Sequence, residues 1–103
     1  MATSYFEKTF GLHDRVACIT GSASGLGLAI ARHLGQAGAR VVVNDLDAGR
    51  CEEAVRLLAA EGVQARYSVF DVSDAAAVDP DIGALATDGW APDIMVSNAG
   101  NQN

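Results

Sequence analysis

The chain has 103 residues, 50% of them hydrophobic, and a formal net charge of −6. This length allows one small domain with a core, and the negative charge argues against a nucleic-acid backbone or an anionic membrane surface as the main partner. No apolar run approaches the roughly 20 residues of a membrane span, and residues 1–10 lack the basic start and apolar stretch of a secretory signal.

A polar leader, residues 1–14, precedes the first apolar run. Strand β1 is predicted over Arg15–Thr20, because a near-continuous apolar run is typical of a strand buried on both faces of a parallel sheet. Helix α1 is predicted over Gly25–Ala37, and Gly38 is placed to end it in the left-handed conformation. A spacing of four residues predicts its buried stripe, which consists of Leu26, Ile30 and Leu34.

Strand β2 is predicted over Val41–Val43, whose residues are all β-branched, and it ends at Asn44 and Asp45. Asp47 is placed to cap helix α2, which is predicted to run to about Glu61. Apolar residues on one clean helical face support this prediction: Cys51, Ala54, Val55 and Leu58.

Strand β3 is predicted over Ala65–Phe70 and strand β4 over Asp93–Ser97. Helix α3, starting at about Ala75, is expected to be short or broken, because Pro80 and Gly83 both disfavour a helix interior.

The alternation of four strands with three helices predicts an α/β fold, a Rossmann-type doubly wound parallel sheet. Right-handed crossovers then give the strand order 3-2-1-4, which is incomplete for such a fold. Ligands of these sheets bind beyond the carboxyl ends of the strands where the order reverses, here between β1 and β4. The polar residues that follow all four strands are therefore expected at one crevice.

A glycine-rich loop, Thr20-Gly21-x-x-x-Gly25-x-Gly27, joins β1 to α1. Its backbone N–H groups and the positive end of the helix dipole are suited to holding a pyrophosphate. The alternative is an ordinary tight turn between a strand and a helix. The residues expected to contact a cofactor here are Gly21, Ser24, Gly25, Leu26 and Gly27.

Asp45 follows β2 about 20 residues after Gly25, close to the spacing at which a carboxylate binds the ribose hydroxyls of NAD. A carboxylate repels the 2′-phosphate of NADP, and Leu46 supplies no positive charge beside it. NAD is therefore predicted in preference to NADP, with Asp45 and Leu46 at the ribose. The alternative is a solvated acid at a strand end.

Two further strand ends carry candidate residues. Asp71 and Val72 are candidates for holding the adenine, or Asp71 caps the following turn. Asn98, Ala99 and Gly100 allow a close approach to a nucleoside, or they form a tight turn.

The cysteines, the histidines, the tryptophan and the charged residues of α2 are not expected to form a catalytic or binding site. Cys18 and Cys51 are expected to be small buried hydrophobes in a reducing compartment, which favours the cytoplasm. His13 and His33 have no partners at catalytic or metal-ligand spacing, so no metal site is predicted, and Trp90 is a packing residue. The charged residues of α2 are interpreted as its solvated face: Arg50, Glu52, Glu53, Arg56 and Glu61.

Together these motifs resemble the N-terminal half of a short-chain dehydrogenase/reductase. The glycine loop matches that family's longer spacing, Asp71-Val72 matches its adenine-contacting pair, and Ser97-Asn98-Ala99-Gly100 resembles its N-N-A-G motif with one replacement. The resemblance implies NAD(P)-dependent hydride transfer between an alcohol and a ketone, in a homo-oligomer. It also implies that Asp45 selects NAD and that Asn98 contributes to the sheet and the adenosine pocket. The run from Gly21 to Arg32 is similar to that of sugar-acid and polyol dehydrogenases.

The catalytic part of that family is missing from this sequence. Its Ser, its Y-x-x-x-K pair and a further Asn all follow the N-N-A-G motif, and Lys8 is the only lysine here. Residues 15–103 are therefore predicted to be the N-terminal half of a dinucleotide-binding domain, truncated and inactive alone. The alternatives are a non-catalytic fragment that binds an adenine dinucleotide, which an open β4 edge disfavours, and a fragment without function.

Overall fold

A computed structural model describes residues 12–71 and 75–98, with the side chains of α3 described from residue 80 onward. Its four strands form one sheet in the order β3-β2-β1-β4, and every neighbouring pair is parallel. The Rossmann-type fold and the strand order predicted from the sequence are confirmed. The elements are β1 (Val16–Ile19), α1 (Gly25–Gln36), β2 (Arg40–Asp45), α2 (Ala48–Ala60), β3 (Ala65–Val69), α3 (Ala75–Thr87) and β4 (Ile94–Val96).

The two central strands are buried on both faces, as their continuous apolar runs predict. On one face Ile19 and Val43 belong to the core under α1 and α2. On the other face Cys18 and Val42 pack with Leu85 of α3. Successive residues of a strand point to opposite faces, so β1 and β2 each serve both layers. The face of α2 is confirmed, with Cys51, Ala54 and Leu58 buried.

The predicted stripe of α1 is confirmed at Ile30 and Leu34, which pack partly buried against the core, and is wrong at Leu26. Leu26 is 70% exposed, whereas Gly27 and Ala31 are buried at the sheet. The small residues allow the helix backbone to approach the β1 loop closely. Leu26 therefore lies outside the core, at the end of the helix that faces the expected ligand crevice.

The prediction of a short or broken α3 is wrong, because the helix runs unbroken for 13 residues with Pro80 inside it. A proline in a helix interior costs about 3 kcal/mol. Ile82 and Leu85 offset this cost by packing against the second face of the sheet, since burying one such side chain contributes about 1.5–3 kcal/mol. Tertiary packing here outweighs local propensity.

The amino-terminal ends of the strands are closed by side-chain contacts. The guanidinium carbons of Arg40 and Arg66 lie 4.9 and 5.6 Å from the ring centroid of Trp90, which confirms Trp90 as a packing residue. Asp93 accepts the Val16 N–H at 2.9 Å and donates its own N–H to the Val16 carbonyl at 2.8 Å. These contacts fix β4 beside β1 from the end opposite the ligand crevice.

Cys18 and Cys51 are free and fully buried, as expected. Burial raises the pKa of the Cys18 thiol from 9.0 to about 11. Burial also raises the pKa of Cys51 to about 11, and the negative charges of Asp45 and Asp47 add to the effect. Within the described ranges no helix has the length and apolar character to cross a bilayer.

The raised thiol pKa values predict alkaline instability. Unfolded thiols ionise near pH 9.0 while the folded ones stay protonated, so stability is retained below that pH and falls as the pH rises toward about 11. We expect urea-unfolding midpoints to drop across this interval, and we expect Cys18→Ala to reduce the drop. A midpoint that falls equally in both proteins would contradict the assignment to this thiol.

Candidate functional site

The glycine loop is tied to the end of β4 through Thr20, which is buried. The Thr20 backbone N–H donates to the Val96 carbonyl at 3.0 Å, and the Asn98 N–H donates to the Thr20 hydroxyl oxygen at 2.8 Å. The Asn98 side-chain amide then donates to the Gly21 carbonyl at 3.2 Å. The carboxyl ends of β1 and β4 are therefore joined at the switch point of the sheet, where the sequence placed the ligand crevice.

Gly21 and Gly25 give the loop its shape. Their φ angles are 62° and 61°, in the left-handed region that residues with a Cβ seldom adopt. A Cβ built on Gly25 would meet no atom within 4 Å, so the space beside it is open.

Gly27 has a different requirement, which is close approach. A Cβ at this position would overlap the Gly21 carbonyl oxygen and would lie 2.8 Å from both the Asn98 amide nitrogen and the Ser22 Cα. Only glycine lets the first turn of α1 pack against the loop and the end of β4.

The amino terminus of α1 is open to a ligand. The side chain of its cap residue, Ser24, makes no capping hydrogen bond within the described part of the chain, and the first turn contains no acidic residue. Helix α2 differs, because the carboxylate of its cap Asp47 accepts the Arg50 N–H at 3.1 Å. First-turn N–H groups without a capping side chain are suited to an anion. The exposed side chain of Leu26 lies at this same end.

Asp45 lies beside the loop, at the end of β2. One carboxylate oxygen accepts the Ala23 N–H at 3.3 Å, and the other accepts the Leu46 N–H at 2.9 Å. Each oxygen keeps acceptor capacity for a further donor such as a ribose hydroxyl. Leu46 is 67% exposed and supplies no charge.

A groove of about 420 Å³ runs from the loop along α2. Arg50 makes no ion pair with any described residue, and it lines this groove together with the acidic residues Asp47 and Glu53. Arg50 and Glu53 are both exposed, as expected for the solvated face of α2, and they also border this groove. Helical periodicity places both residues on the outside of α2 but does not show that the loop comes to lie beside them. The groove is lined by Ala23, Ser24, Asp47, Gly49, Arg50, Glu53, Ala54 and Leu57.

The structure describes only some of the remaining predicted site residues. Asp71 is exposed just beyond β3, and Asn98 is buried beneath the loop. Val72, Ala99 and Gly100 lie outside the described residues. His13 and His33 are exposed, and the described ranges contain no cluster of three side chains able to hold a metal ion.

Sequence reasoning missed a buried polar network behind the loop. The Ser22 hydroxyl donates to the Ile19 carbonyl at 2.6 Å and accepts the Asn44 N–H at 3.1 Å. The Asn44 side-chain amide donates to the carbonyls of Ser68 and Phe70 at 3.0 and 3.1 Å. The only sequence signal was a polar residue, Asn44, directly after a run of buried valines.

Comparison with known proteins points to one family. The family model for short chain dehydrogenases matches residues 15–103. The 5-keto-D-gluconate 5-reductase of Escherichia coli K12 is 39% identical over 93 residues, which cover 90% of this chain and 37% of that protein. The gluconate 5-dehydrogenase of Gluconobacter oxydans is also 39% identical over 93 residues, covering 90% of this chain and 36% of that protein.

A solved structure gives the same result. The gluconate 5-dehydrogenase of Burkholderia cenocepacia J2315, in complex with NADP and tartrate, superimposes with a TM-score of 0.80 at 38% identity. The match covers 86% of this chain and 35% of that one. The chain thus spans little more than a third of the length of the relatives that it matches.

Proposed function

The chain belongs to the short-chain dehydrogenase/reductase family, and from this premise we propose that it forms the NAD-binding half of an oxidoreductase. The reaction is hydride transfer between an alcohol and a ketone. One observation carries the proposal: the open amino terminus of α1, the Asp45 carboxylate and Asn98 converge at the switch point of the sheet. A nicotinamide dinucleotide, when bound, supplies the hydride donor or acceptor.

The residues present fit such a cofactor. The N–H groups of the α1 terminus, from Ser24 to Gly27, hold the pyrophosphate, because they are positive and lack a capping acid. Asp45 binds the ribose hydroxyls, with Leu46 against the ribose. By the family resemblance, Asp71-Val72 is proposed to contact the adenine and Asn98-Ala99-Gly100 to contribute to the adenosine pocket.

NAD is preferred over NADP in this proposal. Asp45 stands at the ribose, and the adjoining groove adds Asp47 and Glu53 against the single positive charge of Arg50. Excess negative charge disfavours a 2′-phosphate. The Burkholderia relative binds NADP, so the preference proposed for this chain rests on its own carboxylates.

The names of the relatives support one substrate class. Both curated relatives described above are named for gluconate or its 5-keto form. We therefore propose a small alcohol or ketone of the sugar-acid or polyol class as the substrate. The homo-oligomer that the family resemblance implies stays a separate proposal. NAD-dependent oxidation of gluconate by the intact protein tests the substrate assignment, and no turnover with any sugar acid or polyol would contradict it.

The catalytic residues are proposed to lie beyond these 103 residues. A general acid of this family needs a tyrosine whose pKa is lowered by a nearby cation. Tyr67 has no lysine after it in the sequence, and the only lysine is Lys8. The alternative function is a non-catalytic module that binds an adenine dinucleotide.

We expect the purified 103-residue chain to form no NADH from NAD and gluconate. The measurement is NADH absorbance, with the intact protein as the positive control under the same conditions. Turnover by the isolated chain would contradict the placement of the catalytic residues. An intact protein that binds NADH but oxidises no alcohol would favour the binding module.

A further inference from the structure

Asn44 occupies an unusual place in the sheet. It is a polar residue, 2% exposed, and its side chain donates both amide hydrogens at the end of β3, one to the Ser68 carbonyl and one to the Phe70 carbonyl just after the strand. The ladder between β2 and β3 ends at Asp45 and Val69. The Asn44 amide therefore supplies a donor to a carbonyl one residue beyond the ladder, at the point where the chain leaves for Asp71.

The backbone of Asn44 faces the other way, toward the glycine loop. Its N–H donates to the Ser22 hydroxyl oxygen at 3.1 Å, and its carbonyl accepts the Ser22 N–H at 2.8 Å. Ser22 in turn anchors itself on Ile19, since its hydroxyl donates to that carbonyl at 2.6 Å. No buried side-chain nitrogen or oxygen in the described ranges lacks a partner, so the network is fully satisfied.

We propose that Asn44 is a positioning residue that couples the adenine side of the cofactor site to the glycine loop. This inference rests on the proposed function. Asn44 fixes the end of β3 with its side chain and the loop with its backbone, and it directly precedes Asp45. One residue thus sets the relative positions of the groups that contact adenine, ribose and pyrophosphate.

The chemistry of asparagine suits this role. A short side chain with two N–H donors is needed to reach two carbonyls on one side of a neighbouring strand. Serine offers one donor, and aspartate at neutral pH offers none. In Asn44→Asp the carboxylate would face the carbonyls of Ser68 and Phe70, and we expect it to be repelled and to displace the end of β3.

The test compares two ligands in the intact protein, adenosine and ADP, by calorimetric titration. The dissociation constant of adenosine divided by that of ADP measures how much the diphosphate adds to binding. We expect Asn44→Asp to lower this ratio about tenfold, although the altered contacts lie on the adenine side. A merely structural role would lower the melting temperature and leave the ratio unchanged.

Ser22→Ala tests the coupling from the loop. It removes the hydroxyl between Asn44 and Ile19, and we expect weaker binding of adenosine, which carries no phosphate. It also keeps the proposal testable if Asn44→Asp does not fold. The matched control is Leu85→Ala, a core truncation on the same face of the sheet as the Asn44 side chain, which should reduce stability and leave the ratio unchanged.

The outcomes separate this proposal from the function on which it rests. An unchanged ratio in folded Asn44→Asp, or unchanged adenosine binding in Ser22→Ala, overturns the coupling alone. A wild-type protein that binds neither adenosine nor ADP overturns the proposed function and the coupling with it.

Discussion

Replacing Asp45 with alanine in the intact protein is expected to weaken NAD binding and to relax the discrimination against NADP. The carboxylate is proposed to accept hydrogen bonds from the ribose, and hydrogen bonds to a charged group contribute about 1.5–3 kcal/mol. The catalytic efficiency kcat/KM with NAD should therefore fall about 10- to 100-fold. Efficiency with NADP should change less or rise, because a negative charge beside the 2′-phosphate is removed.

The groove sets a limit on this change. Asp47 and Glu53 remain after the substitution, with Arg50 between them on α2. We therefore expect a relaxed preference and not a reversed one. Glu52→Ala is the matched control, since it removes one negative charge from an exposed position on the same helix. Steady-state kinetics with both cofactors provide the measurement, and an unchanged preference in Asp45→Ala would remove Asp45 from its assigned role.

The strands and their order could be predicted from the sequence because their signals are local. Val41, Val42 and Val43 form a continuous apolar run that suits only a strand buried on both faces, and all three are fully buried. The alternation of such runs with helical patterns then fixes a parallel sheet, and handed crossovers fix the order. Polar residues at the strand ends follow from that topology.

The predictions for Leu26 and α3 were wrong because tertiary contacts determine the packing face of one helix and the continuity of the other. Leu26 matches a helical stripe as well as Ile30 does, but the close approach at Gly27 turns Leu26 outward. Pro80 is unfavourable in any isolated helix, yet the packing of Leu85 maintains α3 through it. Periodicity and propensity contain neither fact.

The network at Asn44 was beyond prediction for a related reason. Ser22 and Asn44 are far apart in the sequence, and their hydrogen bonds depend on the register of β1 with β2. The register itself follows from packing, because a one-residue slip would move every side chain to the other face. The glycine pattern of the loop can be recognised in the sequence, whereas the residues that hold the loop in place cannot.

Replacing Gly27 with alanine is expected to damage both the fold and cofactor binding. The new Cβ would overlap the Gly21 carbonyl oxygen, a backbone atom that cannot rotate away, and would press on Asn98 and Ser22. Overpacking costs about 1–3 kcal/mol, and a backbone obstacle places this variant at about 3 kcal/mol. Displacement of the loop should also weaken NADH binding, because its N–H groups would no longer be aligned with the pyrophosphate.

Substitutions at two other glycines distinguish the cost of steric overlap from the cost of a left-handed backbone. Gly25→Ala meets no atom within 4 Å but keeps a φ of 61°, so its expected cost is about 1–2 kcal/mol from the left-handed backbone alone. Gly83→Ala also meets no atom, and it lies inside α3, where alanine should stabilise the helix by about 1 kcal/mol. Urea unfolding should therefore rank the midpoints Gly83→Ala, wild type, Gly25→Ala, Gly27→Ala from highest to lowest. If Gly27→Ala were as stable as Gly25→Ala and retained NADH binding, close packing of α1 on the loop would not be what requires glycine there.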